Sequence, residues 1–215
     1  HHGLSFPSPS CTWQGGESDF VPRSTAEWAL REHIASSLGV AHVKVEHVVS
    51  GSAIFRIWDF LIAQRRHAGV VGSGDSGTSG GAAGRKRKTD EEGDLARDLE
   101  AVVRAAADPP ASIVAHAESD PTCKEALDMF VNALGAEAGN LAARFQAYGG
   151  VYIAGGATAK LVAQLTAGDR LQRAYLDKGR SVDAYRGCPL YVVTRAGDEL
   201  GMDGAWAFAR SALAR

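Results

Sequence analysis

Cysteine is scarce. The three thiols, Cys11, Cys123 and Cys188, are odd in number and far apart. They form neither a disulfide framework nor a Cys-x-x-Cys metal pair, so a reducing compartment is expected. An excess of one charge sign is also missing: 23 Lys+Arg face 25 Asp+Glu, a formal net charge of −2. That balance excludes broad electrostatic attraction to nucleic acid or to an anionic membrane. No apolar run approaches the roughly 20 residues of a membrane span. His33, His42, His47, His67 and His116 show no His-x-x-x-His or Cys/His spacing, which leaves a protein-held metal unsupported. There is no Gly-x-Ser-x-Gly nucleophile elbow and no Walker A phosphate loop. The chain opens His1-His2-Gly3, with no Met, no cationic n-region and no apolar h-region. It reads as an interior start, a fragment, a processed product or a cloning remnant, from which targeting signals are not legible.

What is present is an ordinary globular balance, 45% hydrophobic and 22% charged over 215 residues, enough for one domain or one domain with an appendage. Residues 1–23 are polar and turn-rich, with Pro7, Pro9, Pro22 and Gly15-Gly16, and read as loop with one short strand at most. Ser24-Thr25-Ala26-Glu27 has the capping-box pattern ahead of a helix that Gly39 stops. Val43, Val45, Val48 and Val49 nearly alternate with Lys44, Glu46 and His47, which predicts a strand. Ser50-Gly51-Ser52 turns out of it into a helix over 53–65. Residues 69–94 are Gly/Ser-rich, then carry Arg85-Lys86-Arg87-Lys88 against Asp90-Glu91-Glu92; this reads as a flexible surface insertion, the basic quartet being either a solvated run or a phosphate-binding or nuclear-localisation patch.

Helices are predicted over 95–106, ended by Pro109-Pro110, then over 111–118, and over a long stretch to Phe145 that Pro121 starts. Gly135 and Gly139 inside the long one predict close approach to another backbone. Val151 to Ile153 and Leu190 to Val193 read as buried strands, with a helix that Thr158 caps and a further helix over 169–176 between them. Gly201 and Gly204 precede a last helix from Trp206 to Leu213. Strands alternating with helices make the class α/β.

Three places can carry chemistry. The Gly155-Gly156 pair between a strand and a helix lets backbone N–H groups approach a nucleotide's phosphate or ribose; it serves equally as a tight turn without ligand. Glu46, just ahead of Ser50-Gly51, is a carboxylate that can accept from two neighbouring sugar hydroxyls, or a solvent-facing strand residue. Gln14-Gly15-Gly16-Glu17-Ser18-Asp19-Phe20 can aim several polar side chains into one cleft, or form a plain surface turn.

Several segments occur together in a recognisable order: Gln14-Gly15-Gly16-Glu17 with Asp19-Phe20 and Pro22; Val45-Glu46-His47-Val48-Val49-Ser50-Gly51; Gly139-Asn140-Leu141-Ala142; Gly149-Gly150-Val151-Tyr152-Ile153-Ala154-Gly155-Gly156; Asp177-Lys178-Gly179-Arg180; Pro189-Leu190-Tyr191-Val192; and Leu200-Gly201. From about Trp13 to Gly204, interrupted by 69–94, the sequence resembles the C-terminal part of the ATP-dependent, bacterial-type glucokinases. The resemblance implies an α/β actin-like ATPase (ribonuclease H-like) large domain, incomplete at its N-terminus, with the 69–94 insertion. It implies ATP-dependent phosphorylation of glucose, Mg2+ being held through ATP. Glu46, Glu17 and Gln14 then fall at the sugar and Gly155 and Gly156 at the adenosine. The implied partners are glucose and the N-terminal part of the same enzyme, with room for a homodimer and no nucleic acid or membrane; the implied location is cytoplasmic. Gln14 stands where the family has Glu, and Glu17 where it has His. The phosphate loop and the catalytic Asp of the family would precede residue 1, so no residue here takes the catalytic-base role. A catalytically inactive structural or regulatory relative, or another sugar kinase of the same fold, are the alternatives.

Overall fold

The computed structural model describes residues 15–72, 98–195 and 197–213. Gln14, Cys11 and most of the 69–94 insertion, including its charged runs, lie outside the described residues.

Helix α1 (Thr25–Leu38) starts where the sequence places it. The Ser24 hydroxyl accepts from the Glu27 N–H, and Gly39, at φ 65°, closes the C-terminus in the left-handed conformation. Glu27 reaches back one residue further than a standard capping box: its carboxylate accepts from the Arg23 N–H at 2.6 Å and pairs with the Arg23 guanidinium at 2.7 Å. Leu30 and Ile34 are its buried stripe.

The expected strand over 43–49 is corrected. Val43 and Val45 do point inward and Lys44 outward, and Lys44 forms an antiparallel bridge with Asp19. From Glu46 the chain turns into a four-residue helix, α2 (Glu46–Val49). The reason is Val48: with Val45 already inside, a helical turn of three residues returns a second apolar side chain to the same core face, whereas strand geometry would send it outward. Helix α3 (Ala53–Gly72) follows and buries Ile54, Ile57, Trp58 and Leu61. It runs past residue 65, so 69–72 are helical rather than the start of a loop.

A helix over residues 98–105 (α4) precedes α5 (Pro109–His116). Pro109-Pro110 opens α5 rather than merely ending its predecessor. Both prolines sit in the first turn, where no intrahelical N–H is needed, and Asp108 accepts from the Ala111 N–H. Arg104 on α4 pairs with Glu100 at 2.7 Å and with Asp59 of α3 at 2.5 Å, its guanidinium lying over the Trp58 ring.

The long α6 (Pro121–Phe145) is the axis of the core. Asp120 caps it, accepting from Cys123 N–H at 2.7 Å, and Gln146, at φ 48°, ends it. Strand β1 (Val151–Ile153) leads into α7 (Gly156–Lys160), α8 (Val162–Thr166) and α9 (Arg170–Leu176). The helix expected from Thr158 begins two residues earlier and breaks at Leu161, and Thr158 is a buried residue inside it. After the short α10 (Val182–Tyr185), strand β2 (Leu190–Val192) pairs parallel with β1, Val151 opposite Leu190 and Ile153 opposite Val192. Both strands are half-buried rather than buried. Val151, Ile153, Leu190 and Val192 meet the core, while Tyr152 and Tyr191 stack on the outer face at 4.7 Å between ring centres. The last helix, α11 (Gly197–Leu213), contains Gly201 and Gly204 instead of following them.

The expected close approach at the α6 glycines is present. A Cβ on Gly139 would sit 2.2 Å from the Tyr175 carbonyl oxygen, and one on Gly135 2.7 Å from that of Leu171. The tip of the Asp177-Lys178-Gly179-Arg180 turn belongs to the same joint. Lys178 donates to the Ala136 carbonyl at 3.0 Å and to Asn140 Oδ1 at 2.8 Å. Burial pulls its ammonium below the usual lysine range, and Arg23 adds to this.

Candidate functional site

Two segments far apart in sequence build the polar end of the site. Residues 15–17 form a single 3-10 turn, and the chain after it is tied to 43–45 by two backbone bonds, Phe20 N–H to Val43 C=O and Val45 N–H to Ser18 C=O, each 2.8 Å. Buried Phe20, Val43, Val45 and Val48 anchor this tie from below. It fixes the Gly16 backbone against Glu46: a Cβ on Gly16 would lie 3.1 Å from the Glu46 Cβ and 3.8 Å from its Oε2. Glu17, the next residue, is ion-paired with the Lys44 ammonium across the bridge. The structure therefore brings Glu17 and Glu46, two of the three expected sugar residues, to one exposed edge. It adds Lys44, which sequence reading passed over. The signal that could have found Lys44 is the alternation itself, which aims it away from the valines at 43 and 45.

The charges in this cluster act on one another. The Lys44 ammonium is held above the usual lysine range, first by its bond to Glu17; partial burial opposes this, and the Glu17 and Glu46 charges add to it. His47 Nδ1 accepts from the Lys44 backbone N–H at 3.2 Å, which leaves its proton on Nε2. Burial lowers the His47 pKa, and the Arg56 guanidinium lowers it further. A folded-state pKa below the unfolded value means that protonation opposes folding. The stabilising contribution of neutral His47 is complete above about pH 6.5 and is lost as pH falls through the lowered folded value. Urea midpoints recorded between pH 7.5 and 5 are expected to fall less steeply for His47→Gln than for the parent; parallel curves would show that His47 is not the group responsible.

The second end of the site is the Gly155-Gly156 turn between β1 and α7. Gly155 adopts φ 123°, ψ 173°, a conformation available to glycine. A Cβ on Gly155 or Gly156 would meet nothing within 4 Å, so this backbone faces open space. Gly51 abuts it, 3.5 Å separating a Gly51 Cβ from that of Ala157. Together the Ser50-Gly51 and Gly155-Gly156 turns line a hollow of about 260 Å³ floored by Phe130, Ile153 and Leu165. A larger, mostly apolar hollow of about 580 Å³ continues on the other side of Gly51, walled by Ile54, Pro110, Ala111, Val114 and Leu161. Glu46 does not line either hollow. It stands at the opposite end of α2 from Ser50, roughly 6 Å along the helix axis. The polar edge and the glycine turns are thus the two ends of one short helix.

Neither buried cysteine lines these hollows. Burial, with the Asp120 charge second, pushes the Cys123 thiol up to about 12, so it is not a nucleophile at neutral pH. The buried Cys188 gives its carbonyl to the Tyr175 hydroxyl at 2.9 Å. Among the described residues no three His, Cys, Asp or Glu side chains converge on a metal position, and no helix is long and apolar enough to cross a membrane.

Comparison with known proteins places the whole chain rather than single residues. The family model described as Glucokinase matches residues 8–212. The chain is 32% identical over 192 residues to the glucokinase of Synechocystis sp., covering 89% of this chain and 49% of that protein. It is 31% identical over 208 residues to that of Nostoc sp., covering 93% and 52%. The chain thus spans about half the length of the curated relatives it matches. A crystal structure of glucokinase from an Antarctic psychrotroph superposes with a TM-score of 0.58 at 20% identity, over 86% of this chain and 46% of that one, a likeness of fold.

Proposed function

The chain belongs to the glucokinase family, and on that footing we propose that it forms one wall of a cleft in which ATP phosphorylates glucose at the 6-hydroxyl. The observation that carries the reading is the two-ended layout: a pre-organised polar edge at Glu17 and Glu46, and one helical turn away an open Gly-Gly turn above an apolar hollow. A sugar ring presents hydroxyls, which carboxylates bond with charge-assisted strength. A nucleoside presents a flat base and a ribose, which suit an apolar hollow and bare backbone. In this reading Glu46 and Glu17, with Gln14, hold glucose; Gly155 and Gly156 let the nucleotide approach the backbone. The fold is the large domain of an actin-like ATPase.

Transfer of the γ-phosphoryl group depends on positioning and electrostatics more than on covalent help from the protein. This chain's share is to fix the sugar and the nucleoside relative to each other. Mg2+, when bound with ATP, would be held by ATP's own phosphates. The phosphate loop and the base that takes the 6-hydroxyl proton are assigned to the half of the family's length that this chain does not span. A cytoplasmic, homodimeric enzyme is the corresponding biological setting.

The test is equilibrium binding of glucose and of ATP to the complete gene product by calorimetry, together with coupled detection of glucose 6-phosphate. Glucose and ATP binding with turnover is the expected result. Glucose binding without turnover would favour the second reading, a non-catalytic relative, which the replacement of the family's His by Glu17 supports. Absence of glucose binding would sink both.

A further inference from the structure

We propose that Lys44 is a sugar-positioning residue, its ammonium supplying the hydrogen-bond donor that Glu17 and Glu46 lack. The inference rests on the sugar-site reading above and adds a residue to it.

The argument starts from hydrogen-bond inventory. An ionised carboxylate only accepts, whereas each sugar hydroxyl both donates and accepts. An edge made of Glu17 and Glu46 alone would satisfy the hydroxyl protons of a bound hexose and leave the oxygen lone pairs to water. It would also hold two like charges close together, with no opposite charge to offset them. Lys44 answers both problems. Its ammonium has three N–H donors, one engaged by Glu17 and the others free to reach a hydroxyl oxygen or Glu46.

The backbone also argues for a site. The Glu17–Lys44 pair links residues 27 apart in sequence, yet neither segment depends on it for its position. The Asp19–Lys44 bridge and the bonds to Val43 and Ser18 already hold the two chains together. An ion pair this exposed contributes little to stability. Its consequence is local: the Lys44 donor, held by Glu17, shares one exposed edge with the Glu46 carboxylate that lies against Gly16, so a ring with vicinal hydroxyls would meet acceptors and a donor together. The ligand class is a neutral hexose presenting at least two adjacent free hydroxyl groups.

Lys44→Met keeps the aliphatic stem and removes the donors. In calorimetric titrations of the complete gene product with glucose, this variant is expected to bind roughly ten- to hundredfold more weakly, the loss of one charge-assisted bond. The same titrations with 2-deoxyglucose, 3-deoxyglucose and 4-deoxyglucose locate the contact. For the analogue lacking the hydroxyl that Lys44 holds, parent and Lys44→Met are expected to bind equally, because the bond is absent from both. Lys44→Arg is expected to recover part of the glucose affinity. A merely structural lysine would weaken all four sugars alike. Glucose binding by the parent with no change in Lys44→Met, or an equal loss for every sugar, overturns the role of Lys44 and leaves the sugar-site reading intact. No glucose binding by the parent overturns both.

Discussion

Gly139→Ala is expected to lower the melting temperature by about 5–10 °C, the largest stability effect of any glycine-to-alanine change among the described residues. Alanine in a helix interior ordinarily gains up to about 1 kcal/mol over glycine. Here the new methyl group would stand 2.2 Å from the Tyr175 carbonyl oxygen and 2.6 Å from Lys178 Cε. The lysine tip can move; the carbonyl cannot without shifting the end of α9. That end is pinned by the Tyr175 hydroxyl on the Cys188 carbonyl and by the buried Leu171 and Ala174 against α6. Overpacking of this kind costs roughly 1–3 kcal/mol and sometimes more, and in a protein of this size each kcal/mol is worth about 2–4 °C. Gly135→Ala meets the Leu171 carbonyl at 2.7 Å and the Ala174 Cβ at 2.8 Å, so a smaller loss is expected. Gly204→Ala is the control: it lies on exposed α11 with nothing within 4 Å of the added Cβ, and should hold or raise stability. Thermal melts of the three variants give the ranking, and a Gly139→Ala protein as stable as the Gly204→Ala one would contradict the α6–α9 contact.

That joint also shows what could be read from the sequence. Two glycines in an otherwise apolar helical pattern announce a backbone crossing, because little else excuses them there. The partner was not legible: nothing in Arg170–Leu176 says that its carbonyls face α6, since that follows from how two helices distant in sequence fold back together. The helix starts were legible at Ser24 and Pro121 for the same local reason, the chemistry of orphan N–H groups. The misreading of 46–49 has a physical cause too. Val-rich alternation fits a strand, but Val45 and Val48 are also three apart, and the position of the core decides between the two periods. At the candidate site, Glu46, Glu17 and the Gly155-Gly156 turn were visible as residue types in a known order. Lys44 was not, because its role depends on the Asp19 bridge that places it beside Glu17.

Glu46→Gln is expected to weaken glucose binding by about ten- to a hundredfold or somewhat more, and to leave nucleotide binding and the fold unchanged. The amide keeps the shape and one acceptor but loses the charge, and bonds to a charged group are worth about 1.5–3 kcal/mol. Glu46 is exposed and the described structure shows no hydrogen bond to its carboxylate, so its replacement creates no cavity and strands no buried donor. Its place in the first turn of α2 is worth a few tenths of a kcal/mol at most, since the helix is only four residues long. The complementary change is Gly155→Val. A β-branched residue at φ 123°, ψ 173° is strained by about 1–3 kcal/mol, and its side chain would stand in the open space over the turn. This variant should lose ATP and keep glucose. Because α2 separates the two ends of the site by about 6 Å, each substitution should act on one ligand alone, and paired glucose and ATP titrations of both variants read this directly. Loss of both ligands in Glu46→Gln, with an unchanged melting temperature, would mean that the two ends are one subsite and would overturn the assignment of sugar to one and nucleotide to the other.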